Sequence, residues 1–223
     1  ARLAKCCNTW DLRKAAEKRT HQMCFGYLDS GADDEIAIGR SRSQFSEYEC
    51  HYRVLAGNSP ETLDMSTKIF GRDVSLPFFC CPTAGHRMFH NLGEKATAAA
   101  AAEKGILFGL SSLATTSVED IGKVFPKSLP KVFQLYLWKD KGLNRALLQQ
   151  AREHGYDACA LTADFTWFGK RERDIRNGFS VPPSYSLAQI YGAVKRPAWT
   201  WDLLCNDVYT YANISKDVPA ESM

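Results

Sequence analysis

Three features are missing from this sequence, and each absence closes a class of function. No Cys-x-x-Cys occurs among the eight cysteines, and Cys6 and Cys7 are adjacent, so no metal site is expected. No Gly-x-Gly-x-x-Gly follows the first apolar run, where a dinucleotide-binding sheet needs one; that turn reads PTAGHRMFHNLGE. No apolar stretch reaches bilayer length, because the longest, Thr97 to Ala114, is interrupted by Glu103 and Lys104. Charge of one sign is also lacking. With 28 basic and 25 acidic residues the net charge is +3, so no global field draws the chain onto nucleic acid, and anion binding has to be local. Arg2 and Lys5 stand near the start without an apolar segment behind them, which argues against a signal peptide.

What is present is ordinary globular composition: 223 residues, 45% hydrophobic and 24% charged, enough for one sizeable core or two smaller ones. Cys80, Cys81 and Cys159 lie inside apolar, strand-like runs and read as reduced core thiols of a cytosolic protein.

Four such runs recur: LPFFCCPTA (76–84), ILFGLSS (106–112), KVFQLYL (131–137) and ACALTAD (158–164). Counted from Phe78, Ile106, Lys131 and Ala158, the steps are 28, 25 and 27 residues, a period that repeated strand–helix units produce. The intervening segments are helical in pattern. GEKATAAAAAEKG is alanine-rich and stops at Gly105; Thr116 and Glu119 have capping-box spacing; Asp140 can cap a helix with Leu143, Leu147, Gln150, Ala151 and His154 on one face, ending at Gly155. Near-continuously apolar strands alternating with helices imply a parallel sheet covered by helices. An open doubly wound sheet and a closed (β/α)8 barrel both fit; the missing glycine motif favours the barrel, of which only four units are visible. Ahead of them, residues 8–50 look helical, with Asp11, Arg13, Lys14, Glu17 and Lys18 exposed, and Thr62 to Ser75 suggests a hairpin turning at Gly71. The expected organisation is a helical segment with a short hairpin over 1–75, the first half of a barrel over 76–183, and a long loop over 184–223.

The runs end on hydrogen-bonding residues: Thr83 beside Ala84, Ser111 and Ser112, Gln134 and Tyr136, Thr162 and Asp164. In a barrel these ends share one mouth, where chemistry lies, and small hydroxyls with Gln134 suit the edge of a flat, heteroatom-rich ligand. Directly after the fourth run comes a knot of charge, Lys170, Arg171, Glu172, Arg173 and Asp174. Helical spacing pairs Lys170 with Asp174 and Glu172 with Arg176; of the remaining charge, one arginine is read as holding a substrate carboxylate in a planar, bidentate way, with the rest as support. His86 and His90 read as surface histidines, since spacing implies no carboxylate partner, and Cys80 and Cys81 as core filler rather than nucleophiles.

The stretches FGYLDSGADDE (25–35), PTAGHRMFHNLGE (82–94), LSSLATTSVEDI (110–121), FQLYLWKDK (133–141) and LTADFTWFGKRERDIRNGF (161–179) resemble, in order and spacing, the flavin mononucleotide-dependent 2-hydroxy acid dehydrogenases and oxidases, over residues 8–183. The resemblance implies an α/β (β/α)8 TIM barrel with FMN as cofactor, of which this chain holds the N-terminal helical segment and the first four βα units. It implies that Tyr27 and Arg171 bind the substrate carboxylate, that Tyr136 is catalytic near the substrate hydroxyl, that Leu113 lies beside the substrate, and that Ala84, Ser111, Gln134 and Thr162 contact the flavin. The implied reaction oxidises an (S)-2-hydroxy acid such as lactate or mandelate, hydride passing to flavin N5 while a base takes the hydroxyl proton, with electrons going on to oxygen, a quinone or a cytochrome. A homotetramer is implied as well.

The family's basic histidine in Ser-Asn-His-Gly-Gly, its flavin-contacting lysine, its second substrate arginine and its Asp-Gly-Gly phosphate loop do not occur in these 223 residues. Two readings follow: the first half of a full-length enzyme, or a non-catalytic half-barrel acting as a binding or assembly partner. The first is favoured, because a lone half would expose sheet edges and apolar core. Residues 184–213, including RPAWTWD, resemble the corresponding segment of the membrane-associated lactate dehydrogenases. Tyr191, Trp199, Trp201 and Tyr209 with Lys195 and Arg196 suit an interfacial contact with anionic lipid, on the cytoplasmic face of the inner membrane, and equally suit packing against a neighbouring subunit.

Overall fold

The structure is a computed structural model that describes residues 3–57, 59–164, 167, 169–180, 186–206 and 209–214. It divides into two compact units, residues 1–58 with 167–207, and residues 59–166 with 208–223.

The second unit is built on the expected period. A hairpin of β1 (Thr67–Ile69) and β2 (Arg72–Val74) comes first, antiparallel, turning through Gly71 at φ 76°. Then follow β3 (Phe79–Cys80), β4 (Leu107–Ser111), β5 (Lys131–Tyr136) and β6 (Ala158–Thr162), all parallel and in sequence order. Helices α4 (Gly93–Glu103), α5 (Val118–Val124) and α6 (Lys141–Glu153) make the crossovers. Phe108, Leu110, Phe133 and Leu135 face these helices and pack with Ala98, Ala101, Ile121, Leu147 and Ala151. The strand alternation puts Ser111, Gln134 and Thr162 on the opposite face.

Three local expectations fail. The cap of α5 is Ser117, whose hydroxyl accepts from Asp120 N, not Thr116. Gln150, expected on the inner face of α6 with Leu147 and Ala151, is exposed. Cys81 and Cys159 are exposed free thiols, not core filler, whereas Cys80 is half-buried and packs against the core. The reason is position in the sheet: Cys159 pairs with buried Phe133, but β6 is an edge strand, and Leu161 beside it is also exposed.

The first unit is helical, as the pattern over residues 8–50 predicts. It holds α1 (Thr9–Arg19), α2 (Gln22–Asp29), α3 (Ile36–Ser43), a short α7 (Glu172–Arg176), α8 (Leu187–Val194) and α9 (Pro197–Leu204). Asn8 caps α1 through Asp11 N, and Ser186 caps α8 through Gln189 N. Met23, Cys24, Phe25 and Trp199 are its buried apolar residues, with the Trp199 ring 5.1 Å from that of buried His21. Burial pushes the Cys24 thiol up to about 12, so it stays protonated and unreactive. Arg13, expected at the surface, is half-buried because it turns inward to Asp29.

Candidate functional site

The strand ends of the sheet unit form a continuous polar ladder. Register places Ser111 beside Gln134 and Tyr136 beside Thr162. Ser111 Oγ donates to Gln134 Oε1 at 3.0 Å, and Gln134 Nε2 donates to Thr162 Oγ1 at 2.8 Å. Ser111 Oγ in turn accepts from Leu113 N at 3.1 Å, and Ser112 Oγ accepts from Tyr136 N at 3.4 Å. The carboxamide therefore has one orientation, and three adjacent strands present fixed hydrogen-bonding groups along one edge. Ser111 and Gln134 are buried, whereas Leu113, Tyr136 and Thr162 are half-buried. Ala84 precedes Gly85, which sits at φ 71° and begins the loop before α4. A side chain at position 85 would meet Met88 Cε at 2.8 Å as well as a strained backbone.

Sequence reading missed the residue that ties these loops together. Glu94, in the first turn of α4, is 1% exposed. Its Oε1 accepts from His86 N at 3.1 Å and Thr115 N at 3.0 Å, and its Oε2 from the hydroxyls of Thr115 and Thr116 at 2.7 and 2.8 Å. Burial opposes its ionisation, but the donors from Thr115 and Thr116 prevail and hold its carboxyl below the ordinary range. The loop carrying Ala84 and the loop after Ser111 are thereby joined through one carboxylate. An acidic residue inside an alanine-rich helix was the available signal. His86 is also corrected: it is half-buried, its Nδ1 lies 3.2 Å from Thr97 Oγ1, and burial lowers its pKa. His90 is exposed, as expected.

The helical unit carries the other candidate residues. Arg171 lies 4.7 Å from the centre of the Tyr27 ring, and that ring stacks on Phe179 at 4.4 Å, 5° from parallel. Arg171 Nη2 donates to the carbonyl of Tyr27, to the Ser30 carbonyl at 3.2 Å and to Ser30 Oγ at 3.0 Å. Its Nε lies 2.8 Å from Asp174 Oδ2, an ion-pair distance without hydrogen-bond alignment. Asp174 is thus the partner of Arg171, not of Lys170, which pairs with Glu172 at 3.2 Å. The Glu172–Arg176 pair is present as spacing predicts. Arg173 reaches Asp29 at 3.0 Å and also Glu35.

No group of three or more histidine, cysteine, aspartate or glutamate side chains among the described residues could hold a metal ion. No helix among them is long and apolar enough to cross a membrane.

Residues 16–222 match the FMN-dependent dehydrogenase family. The chain belongs to this family. Its relatives include an L-lactate oxidase of a Nostoc species, 39% identical over 185 residues, covering 82% of this chain and 50% of that protein. A glycolate oxidase of Spinacia oleracea is 36% identical over 185 residues, covering 83% of this chain and 49% of its own length. Among solved structures, the monotopic membrane protein (S)-mandelate dehydrogenase superposes with a TM-score of 0.87 at 29% identity, over 95% of this chain and 56% of that one. The chain spans about half the length of these relatives. Its α/β fold is that of FMN-dependent dehydrogenases.

Proposed function

We propose that this chain supplies the first four βα units and the N-terminal helices of a (β/α)8 barrel enzyme that oxidises a small (S)-2-hydroxy acid to the 2-oxo acid. In this reading residues 1–75 are the N-terminal helical segment and hairpin, 76–183 the first half of the barrel, and 184–223 the long loop after its fourth strand. The observation that carries it is the Ser111–Gln134–Thr162 ladder, in a member of a family that depends on FMN.

The residues present fit a flavin edge. A rigid carboxamide flanked by two hydroxyls offers donors and acceptors in a row, as a flat ring of alternating heteroatoms requires. Ser111, Gln134 and Thr162 would hold that edge, with the main chain at Ala84. FMN, when bound, supplies the acceptor for the hydride. Arg171 binds the substrate carboxylate: it is anchored through Nε and Nη2, while Nη1 makes no hydrogen bond among the described residues and is available to a ligand. Tyr27 supports it by stacking, and its phenol is a second donor for the carboxylate. Tyr136 orients the substrate hydroxyl, and Leu113 limits the substrate's side chain. Oxygen, a quinone or a cytochrome accepts the electrons. A homotetramer and peripheral contact with the cytoplasmic face of the inner membrane complete the proposal. Of the aromatic residues expected at that contact, Trp201 and Tyr191 are exposed and support it, whereas Trp199 is buried against His21 and does not.

The test is anaerobic addition of (S)-lactate, (S)-mandelate or glycolate to the full-length protein, following the flavin's visible absorbance. Bleaching by one of them is expected. Failure of all three, or a protein that binds no FMN, overturns the proposal. Arg171→Gln should lower kcat/KM about 100-fold, which corresponds to ~2.7 kcal/mol of transition-state binding.

A further inference from the structure

The helical unit contains a cavity that the oxidoreductase reading does not use. It measures about 380 Å³, and its walls come from α1, α2, α7 and the residue before α9, all within that one unit. Four arginines line it, Arg13, Arg173, Arg176 and Arg196, against two carboxylates, Glu17 and Asp29. The guanidinium groups outnumber the carboxylates around a space of small-ligand size, which leaves it an excess of positive charge.

The bonding divides them into two pairs. Arg13 and Arg173 are held by the half-buried Asp29, at 2.6 and 3.0 Å, and act as fixed walls. Arg176 is 71% exposed, and its partner Glu172 is the i,i+4 neighbour on a solvent-facing turn, a weak pairing that a stronger anion readily exchanges. Arg196 has no carboxylate partner among the described residues; it leans on the carbonyls of Thr20, Lys195 and Glu17 at 3.3 to 3.4 Å, near the limit of hydrogen bonding. The floor adds an amide: Asn177 Nδ2 lies where a Cβ on Gly26 would be, 2.4 Å from it, and neither Nδ2 hydrogen has an acceptor among the described residues. Only glycine at position 26 leaves room for that amide. The cavity thus offers two available guanidinium groups and an open amide donor, all seeking acceptor oxygens.

We propose that this cavity binds a phosphate group, either free phosphate or the phosphate of a small monoester. Arg196 and Arg176 clamp the oxyanion, Asn177 donates to a third oxygen, and the Asp29-bound arginines supply the surrounding positive potential. The tetrahedral dianion satisfies several donors at once; a monocarboxylate with two oxygens satisfies fewer. The inference does not rest on the oxidoreductase reading, and the two stand or fall separately.

The experiment is calorimetric titration of the protein with inorganic phosphate in a chloride buffer of constant ionic strength, beside Arg176→Gln, Arg196→Gln and Asn177→Ala. A saturable isotherm is expected, weakened at least tenfold in each arginine variant and severalfold in Asn177→Ala, and weakened further as chloride is raised. Arg176→Gln is a surface change that keeps the fold, so it decides the question if Arg196→Gln proves unstable. No saturable heat, or the same affinity in Arg176→Gln as in the parent, overturns the proposal; the second result would put phosphate elsewhere on the protein. Glucose 6-phosphate and glycerol 3-phosphate, run as further titrants, distinguish free phosphate from a monoester.

Discussion

The two units solve the problem of positioning polar groups in opposite ways. In the sheet unit the candidate residues are neutral, set by strand register, and locked to each other across Ser111, Gln134 and Thr162. In the helical unit Arg171 is held by a network of charges and carbonyls, with Asp174 and Ser30 on one side and Tyr27 against its face. Register is a property of the whole sheet and resists local change. A charge network depends on each partner and on ionic strength. The sheet unit therefore presents its polar groups in preset positions, and the helical unit presents groups that respond to salt and to the loss of a partner.

The strongest attempt to break this contrast is Glu94→Ala, because Glu94 is a charged anchor beside an otherwise neutral ladder. Removing it leaves three buried donors and one half-buried donor without acceptors, at a cost of about 3–5 kcal/mol, seen as a lower midpoint in urea. Acid should act on the same group. Because the folded state holds Glu94 below its ordinary value, its contribution is complete above the unfolded carboxylate pKa and fades as pH falls through the folded one. Glu94→Gln should flatten that acid limb.

In the helical unit Asp29→Asn removes the shared partner of Arg13 and Arg173, whose bond from Arg13 is the main reason its carboxyl lies below the usual range. A cost of about 1–2 kcal/mol is expected, smaller than at Glu94 because both arginines are a third or more exposed. That cost should shrink in high salt, and a salt-independent loss would contradict the contrast between the units. Hydrogen exchange of α1 and α2 measures it locally.

The smallest effect, and a stabilising one, is expected at Lys131. Its Nζ is buried at the start of β5, 5.9 Å from the centre of the Phe125 ring and 5.6 Å from that of Tyr156, with no hydrogen-bond partner among the described residues. Burial lowers its pKa. The unfolded chain then binds the proton more readily, so stability rises with pH across the alkaline range and the charge costs most near neutrality. Lys131→Met should gain about 1 kcal/mol at neutral pH, and thermal melts should show the gain vanishing in alkali.

Much of this was legible in the residues. The 25-to-28-residue step located β3 to β6, Gly71, Gly105 and Gly155 marked turns that do have positive φ, and the five matching stretches pointed to the FMN-dependent family. What escaped was partnership at a distance. Helical spacing offered Lys170 for Asp174, but Arg171, turned back at the start of α7, is nearer. Thr116 had the right spacing to cap α5, yet its hydroxyl is spent on Glu94, 22 residues away, and Ser117 caps instead. Cys159 lies in an apolar run, but apolar neighbours along a strand do not supply a cover above it.

By itself, then, the sequence determined the alternation of strands and helices, the polar residues at the strand ends and the family to which the chain belongs. These are local or periodic properties, written in residue order. Only the tertiary structure decided which carboxylate each arginine meets, that Glu94 joins two loops, and that four arginines from three segments surround one cavity. Electrostatic and hydrogen-bond partnership depends on distance in space, and residue order constrains that distance only weakly once the chain has folded.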